Sequence, residues 1–211
     1  CALGRNTFAV KSLKITTMKA KWISLLFLIS VMAYSLKAQQ TSSRFGVELN
    51  TGASFPVQKL NGQSLNPGFG FEALVHYRFL PRLGFYAGWG WNRMASDASE
   101  GLPALDFEET GYIFGLEYHQ PLNESAVSLF LRAGGLYNHI ETEEGNNIIH
   151  DTRHGLGYQV ACGVTIPMGS HWSLVPGIKF NSLSRTNLSG DEEIQRDYQY
   201  LQLRVGIIRH F

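Results

Sequence analysis

Hydrophobicity in this chain alternates residue by residue, in eight separate runs. A period of two sends successive side chains to opposite faces of a strand, whereas a helix needs apolar residues three or four apart. The first run, 44–55, sets Phe45, Val47, Leu49, Thr51, Ala53 and Phe55 against Gly46, Glu48, Asn50, Gly52 and Ser54. The others fall at 68–79, 84–93, 110–119, 127–138, 158–166, 172–181 and 200–211. Leu74, Ile113, Phe130 and Ile208 are among the apolar residues that break the rule by lying on the polar face. Pro176 sits inside the seventh run, where a bulge could shift the phase.

The runs are joined alternately by short and long connections. Residues 79–84, 120–126 and 167–171 are short and carry Pro or Gly; 56–67, 94–109, 140–154 and 184–197 are longer. Strands joined this way form an up-and-down meander with all the long loops at one end. One face is nearly pure apolar, with aromatics gathered toward both ends of the runs. The other is crowded with Gly and single charges, which suits a packed interior better than a solvated exterior. An apolar band about 25 Å tall between two aromatic belts is the pattern of a transmembrane barrel. Lipid offers no partner for backbone groups, so such a sheet must close. The expected fold is all-β, an eight-stranded antiparallel up-and-down barrel.

A cleavable leader is expected ahead of it. Lys19 and Lys21 precede an apolar stretch, Ile23 to Leu36, and Leu36-Lys37-Ala38 ends it on a small residue. The stretch is shorter than the ~20 residues of a spanning helix. Charge, core and cut site read as a secretory signal peptide, Met18 to Ala38, with residues 1–17 upstream of the true start. Residues 39–211 are then the barrel domain. Six of the 18 basic residues and none of the 17 acids lie in 1–38, so the other 173 residues carry 12 bases and a net charge of −5. That balance, with no Lys/Arg run, argues against nucleic acid as a partner. One cysteine, Cys162, remains, which excludes an intrachain disulfide.

The last run ends Tyr200-Leu201-Gln202-Leu203-Arg204-Val205-Gly206-Ile207-Ile208-Arg209-His210-Phe211. With the alternation over 43–211, it resembles the small eight-stranded outer-membrane barrels, the OmpA/OmpX-like group of porin-family or outer membrane protein β-barrel domains. Arg209 departs from the apolar residue usual two places before the end. The resemblance implies the outer membrane of a Gram-negative bacterium as location and its lipid and lipopolysaccharide as surroundings. It also implies insertion by the barrel-assembly machinery, with Phe211 as the assembly signal.

The inward face holds the candidate site: Glu48, Glu72 and Glu117 with His76, Arg78, Arg132, Lys179 and Arg204. Charges inside a barrel need partners, and an eight-stranded barrel is only just wide enough for its side chains to fill. A plugged polar interior is expected, with a narrow porin-like channel as the alternative. Of the 17 acids, 13 fall in the three long connections after residue 93. They read as solvated loops that could attract divalent cations. His150 and His154 flank Asp151 with His139 nearby, but a spacing of four gathers metal ligands only on a helix, so no metal centre is expected. No cofactor is expected either. Some barrels of this kind are lipid A-modifying enzymes with a His-x-Ser pair facing lipid. The one such string here, His171-Trp172-Ser173, faces inward at a short-turn end without an orienting acid, so a non-catalytic structural or surface-interaction role is the primary expectation.

Overall fold

A computed structural model describes residues 43–59, 64–98, 103–122, 125–145, 147–189 and 192–211, and the side chains among these other than those of 185–196. The leader, Glu100 and Asp191 lie outside the described residues. The chain forms β1 (Phe45–Pro56), β2 (Gly68–Arg78), β3 (Leu83–Ser96), β4 (Leu105–Pro121), β5 (Ser128–Glu144), β6 (Asn147–Asp151), β7 (Gly155–Met168), β8 (Trp172–Ser189) and β9 (Glu192–His210). All pairings are antiparallel; apart from β5 with β7 they join neighbours in the chain, and β1 pairs with β9, closing the sheet.

Nine strands make eight staves. Both β6 and β7 pair with β5, Glu141 opposite Asp151 and Asn138 opposite Gly155. They are one stave broken at Thr152–His154. The break is bridged by the Thr152 amide to the Ile140 carbonyl (3.0 Å) and the Ile140 amide to Thr152 Oγ1 (2.8 Å). Pro176 causes no phase shift. It faces Val205 in register, and Leu174 and Ile178 stay on the same outer face.

Strict alternation places the two faces as the sequence predicts. Leu49, Val75, Leu116, Leu131, Leu203 and Ile207 are exposed on the outer wall, while Glu48, Leu74, Ile113, Arg132 and Arg204 are buried inside. The apolar exceptions Leu74, Ile113, Phe130 and Ile208 are lumen filling. The chain's end and the short turns share one end of the barrel, where the Phe211 amide donates to the Phe45 carbonyl at 2.9 Å. There Arg209 lies over the rings of Trp172 (5.6 Å) and Phe211 (5.0 Å), so its charge stays at the aromatic belt.

The long connections differ from the loop expectation. At the far end the strands continue through most of them: β5 runs to Glu144, β4 starts at Leu105 and β9 at Glu192. The reason is that alternation persists there beneath an acidic composition, with Met94, Phe107, Ile140 and Thr142 buried inside while Asp106, Glu108 and Glu141 point out. A strand of 19 residues such as β9 is about 60 Å long and, at a tilt near 40°, spans roughly 45 Å of the barrel axis. The apolar band needs only about 25 Å, so the wall rises well past the upper aromatic belt as a rim.

Candidate functional site: the filled lumen

The lumen is layered. Next to the turns a small apolar cluster forms from Phe130, Ala161, Val175 and Ile208. Above it lies the charged layer, and each charge reaches the axis because its strand position is inward. Arg132 on β5 grips Glu48 on β1 with two bonds, Nη1 to Oε1 at 3.0 Å and Nη2 to Oε2 at 2.6 Å. Its Nε donates to Glu117 Oε2 on β4 at 3.3 Å. His76 on β2 lies between the same acids, Nδ1 2.9 Å from Glu117 Oε2 and Nε2 3.0 Å from Glu48 Oε2.

Arg204 on β9 joins this group to a second. Its Nη2 donates to Glu48 Oε1 at 3.1 Å and its Nη1 to Glu72 Oε2 at 2.9 Å. Glu72 also accepts from Lys179 on β8. Three carboxylates thus meet two guanidiniums and one ammonium, a neutral set if His76 is uncharged. Glu48 is fully buried and the others nearly so. A two-pronged Arg–carboxylate contact is the strongest form such a pair takes, and full pairing is what makes buried charge tolerable.

Seven of the eight interior residues singled out by alternation therefore meet in one network. Arg78 is half-buried at the turn end of β2, opposite Gly84, where its charge acts on Glu117 from the turn side.

Sequence reasoning missed the layer above, toward the rim. Tyr86 sits beside Arg132, whose guanidinium lies 5.5 Å from the ring centre, and its hydroxyl accepts from Gln159 Nε2 at 2.9 Å. Asn138 donates to Glu109, and Asn181 to the Tyr200 hydroxyl. Higher still, Leu65, Met94, Phe107, Leu136, Ile140, Leu183 and Tyr198 pack into an apolar plug continuous with Tyr86 and Tyr200. The signal was available: continuing the period-two count through the acidic segments puts each of these residues except Leu65, which lies outside the strands, on the inward face. Between the charged layer and the plug remains a cavity of about 10 Å³, bordered by Glu72, Asn92, Lys179 and Gln202. That is room for about one water molecule.

Ser173 faces inward, but its hydroxyl lies 3.1 Å from His210 Nε2, not against His171. His171 is exposed in the turn, contrary to the inward facing expected of it, because the β7–β8 turn at Gly169 ends the alternation before it; its Nδ1 meets Ser170 Oγ at 2.7 Å. The His-x-Ser string is not a pair.

A closed eight-stave barrel with an apolar wall and a polar, filled interior is now in view, and comparison with known proteins agrees with it. The model of the outer membrane protein beta-barrel domain matches residues 23–211. The chain belongs to that family. Among solved structures, neisserial surface protein A superposes with a TM-score of 0.60 at 18% identity, covering 82% of this chain and 100% of that one. The outer membrane protein OprG from Pseudomonas aeruginosa gives 0.54 at 11% identity, covering 81% and 97%. At these identities the likeness is one of fold. No curated protein matches the sequence significantly. This family places the barrel in the bacterial outer membrane.

Proposed function

We propose that this outer-membrane barrel is a non-conducting, non-catalytic surface protein, whose wall anchors a raised rim outside the cell. One observation carries the reading. Among the described residues the lumen is filled at three levels, by the apolar cluster at the turns, the ion-paired layer and the apolar plug, with a cavity of about 10 Å³ between the last two. A continuous water path needs a chain of such voids, and the filling by the described residues leaves ions no route. What remains free to act is the outside of the rim.

The polarity of insertion follows from the same reading. The turn end and Phe211 lie in the periplasm, where the barrel-assembly machinery meets the last strand, and the rim faces outward among lipopolysaccharide. The basic, then apolar segment Met18 to Ala38 serves as the export signal. Planar-bilayer recording of the refolded barrel tests the main claim. The expected trace is silent under an applied potential; large, stable conductance steps would establish the channel reading in its place. Deletion of Phe211 is expected to lower outer-membrane yield, measured by fractionation, and an unchanged yield would count against its role in assembly.

A further inference from the structure

Strand pairing at the rim gathers residues that lie apart in the sequence. Across the outer wall, Arg93, Glu108, Glu141 and Asp151 fall side by side on β3, β4, β5 and β6. Arg93 answers the first acids, with Nη2 2.7 Å from Asp106 Oδ2 and Nη1 3.5 Å from Glu108 Oε1. Glu141 and Asp151 are left facing each other directly. Like charges opposite one another on paired strands are destabilising unless something offsets them.

His139, two residues below Glu141 on the same face, stands between them. Its Nδ1 is 2.9 Å from Asp151 Oδ1 and its Nε2 is 3.8 Å from Glu141 Oε1. One donor atom from each of the three lies within 4.8 Å of the others. The His154 ring stacks flat on His139, centres 4.5 Å apart and planes 11° apart, and also meets Tyr137 at 5.3 Å. That stack covers one face of the imidazole and holds its plane. Tyr137 belongs to the upper aromatic belt, so the cluster sits just above the membrane surface.

We infer that His139, Glu141 and Asp151 form a binding site for a divalent cation of the zinc class on the outer wall. One imidazole and two carboxylates are a donor set that zinc takes in tetrahedral geometry, with a fourth position for water or an outside ligand. Bonds of about 2.1 Å set tetrahedral donors roughly 3.4 Å apart. Asp151 Oδ1 already lies 2.9 Å from His139 Nδ1, so it is mainly the Glu141 carboxylate that must close in, from within 4.8 Å, to complete that spacing. The cation neutralises the facing acids, Glu141 and Asp151. The imidazole sets the preference, since calcium and magnesium favour all-oxygen sites. Spacing in the sequence conceals the site, because its members come from β5 and β6 across a hairpin turned at Gly145 (φ +65°).

Calorimetric titration of the purified full-length barrel in detergent with Zn²⁺ alone, then Ca²⁺ alone, tests the inference. One equivalent of Zn²⁺ is expected to bind, and His139→Ala and Glu141→Gln each weaken it by about tenfold or more. Glu143→Gln, an acid on the same face outside the set, leaves the affinity unchanged. The substituted side chains point away from the lumen, so the barrel itself is kept. Absence of Zn²⁺ binding in the unsubstituted protein overturns the inference. So does binding that survives His139→Ala unchanged, or Ca²⁺ held as tightly as Zn²⁺, either of which reduces the cluster to a general acidic surface.

Discussion

The charged layer and the apolar plug fill the same tube by opposite means. In the layer every group depends on partners far along the chain: Arg132 meets Glu48 across 84 residues, and Arg204 meets it across 156. In the plug, Met94, Phe107, Leu136 and Leu183 need only bulk and shape. Removing one charge therefore strands others, whereas removing one plug residue leaves a hole. The layer couples β1, β2, β4, β5, β8 and β9 through a few atoms and so constrains which staves can face which. The plug seals the rim end, where the wall has already left the membrane.

The largest effect separating the two is expected at Glu48. Glu48→Ala removes the partner shared by Arg132, Arg204 and His76, and stranding buried charge typically costs about 3–5 kcal/mol. Urea unfolding of the barrel in detergent measures it; a loss below about 1 kcal/mol would mean that water already reaches the layer. Coupling is the second signature. Glu72→Gln and Lys179→Met are each destabilising, and together they cost less than their sum by about 1–3 kcal/mol. Strict additivity would show that the ion pair between them is not formed in solution.

The plug should respond differently. Leu183 is buried and uncharged, so Leu183→Ala costs about 2–4 kcal/mol by cavity formation, and this cost adds independently to that of Lys179→Met in the layer. Bilayer recordings of Leu183→Ala should stay silent, because the charged layer still blocks the tube below; a new conductance would make the plug the true barrier. The seam between the two fillings is tighter. Gly115 and Gly134 face each other on β4 and β5, and a Cβ on Gly134 would lie 2.1 Å from the Phe114 carbonyl oxygen and 2.8 Å from the Tyr86 hydroxyl. Gly134→Val is expected to cost about 1–3 kcal/mol by overpacking and to shift Tyr86, which its near-ultraviolet dichroism reports.

This contrast also marks what could be read before the structure. Period two carries the facing of every stave, because side-chain direction in a strand depends only on parity. Glu48, Arg132 and Arg204 were legible as interior for that reason. Their pairing was not, since it depends on register and on distance across the tube, which parity does not encode. The rim was hidden by composition: Asp106-Phe107-Glu108-Glu109 reads as a solvated loop, yet Phe107 and Glu109 point inward and are buried. The cluster at His139 was hidden twice, by that same loop reading and because its members come from two strands. Arg209 could be placed from the sequence, as a cation at the end of a belt, though its two ring partners could not.

The smallest expected effect lies on the outside of the rim. Arg93 pairs there with Asp106 and Glu108, and its side chain is 45% exposed. Water and salt screen such a pair, and ordering a long side chain opposes it, so exposed ion pairs usually yield less than about 1 kcal/mol. Arg93→Ala should therefore change the unfolding free energy by no more than that, and less still in high salt. The same chemistry of guanidinium and two carboxylates costs several times more to break at Arg132, because Glu48 has no water to turn to. Measuring both substitutions in one detergent at two salt concentrations isolates burial as the variable. Equal losses at the two sites would mean that the lumen is as wet as the rim, and the case for a blocked tube would fall with the difference.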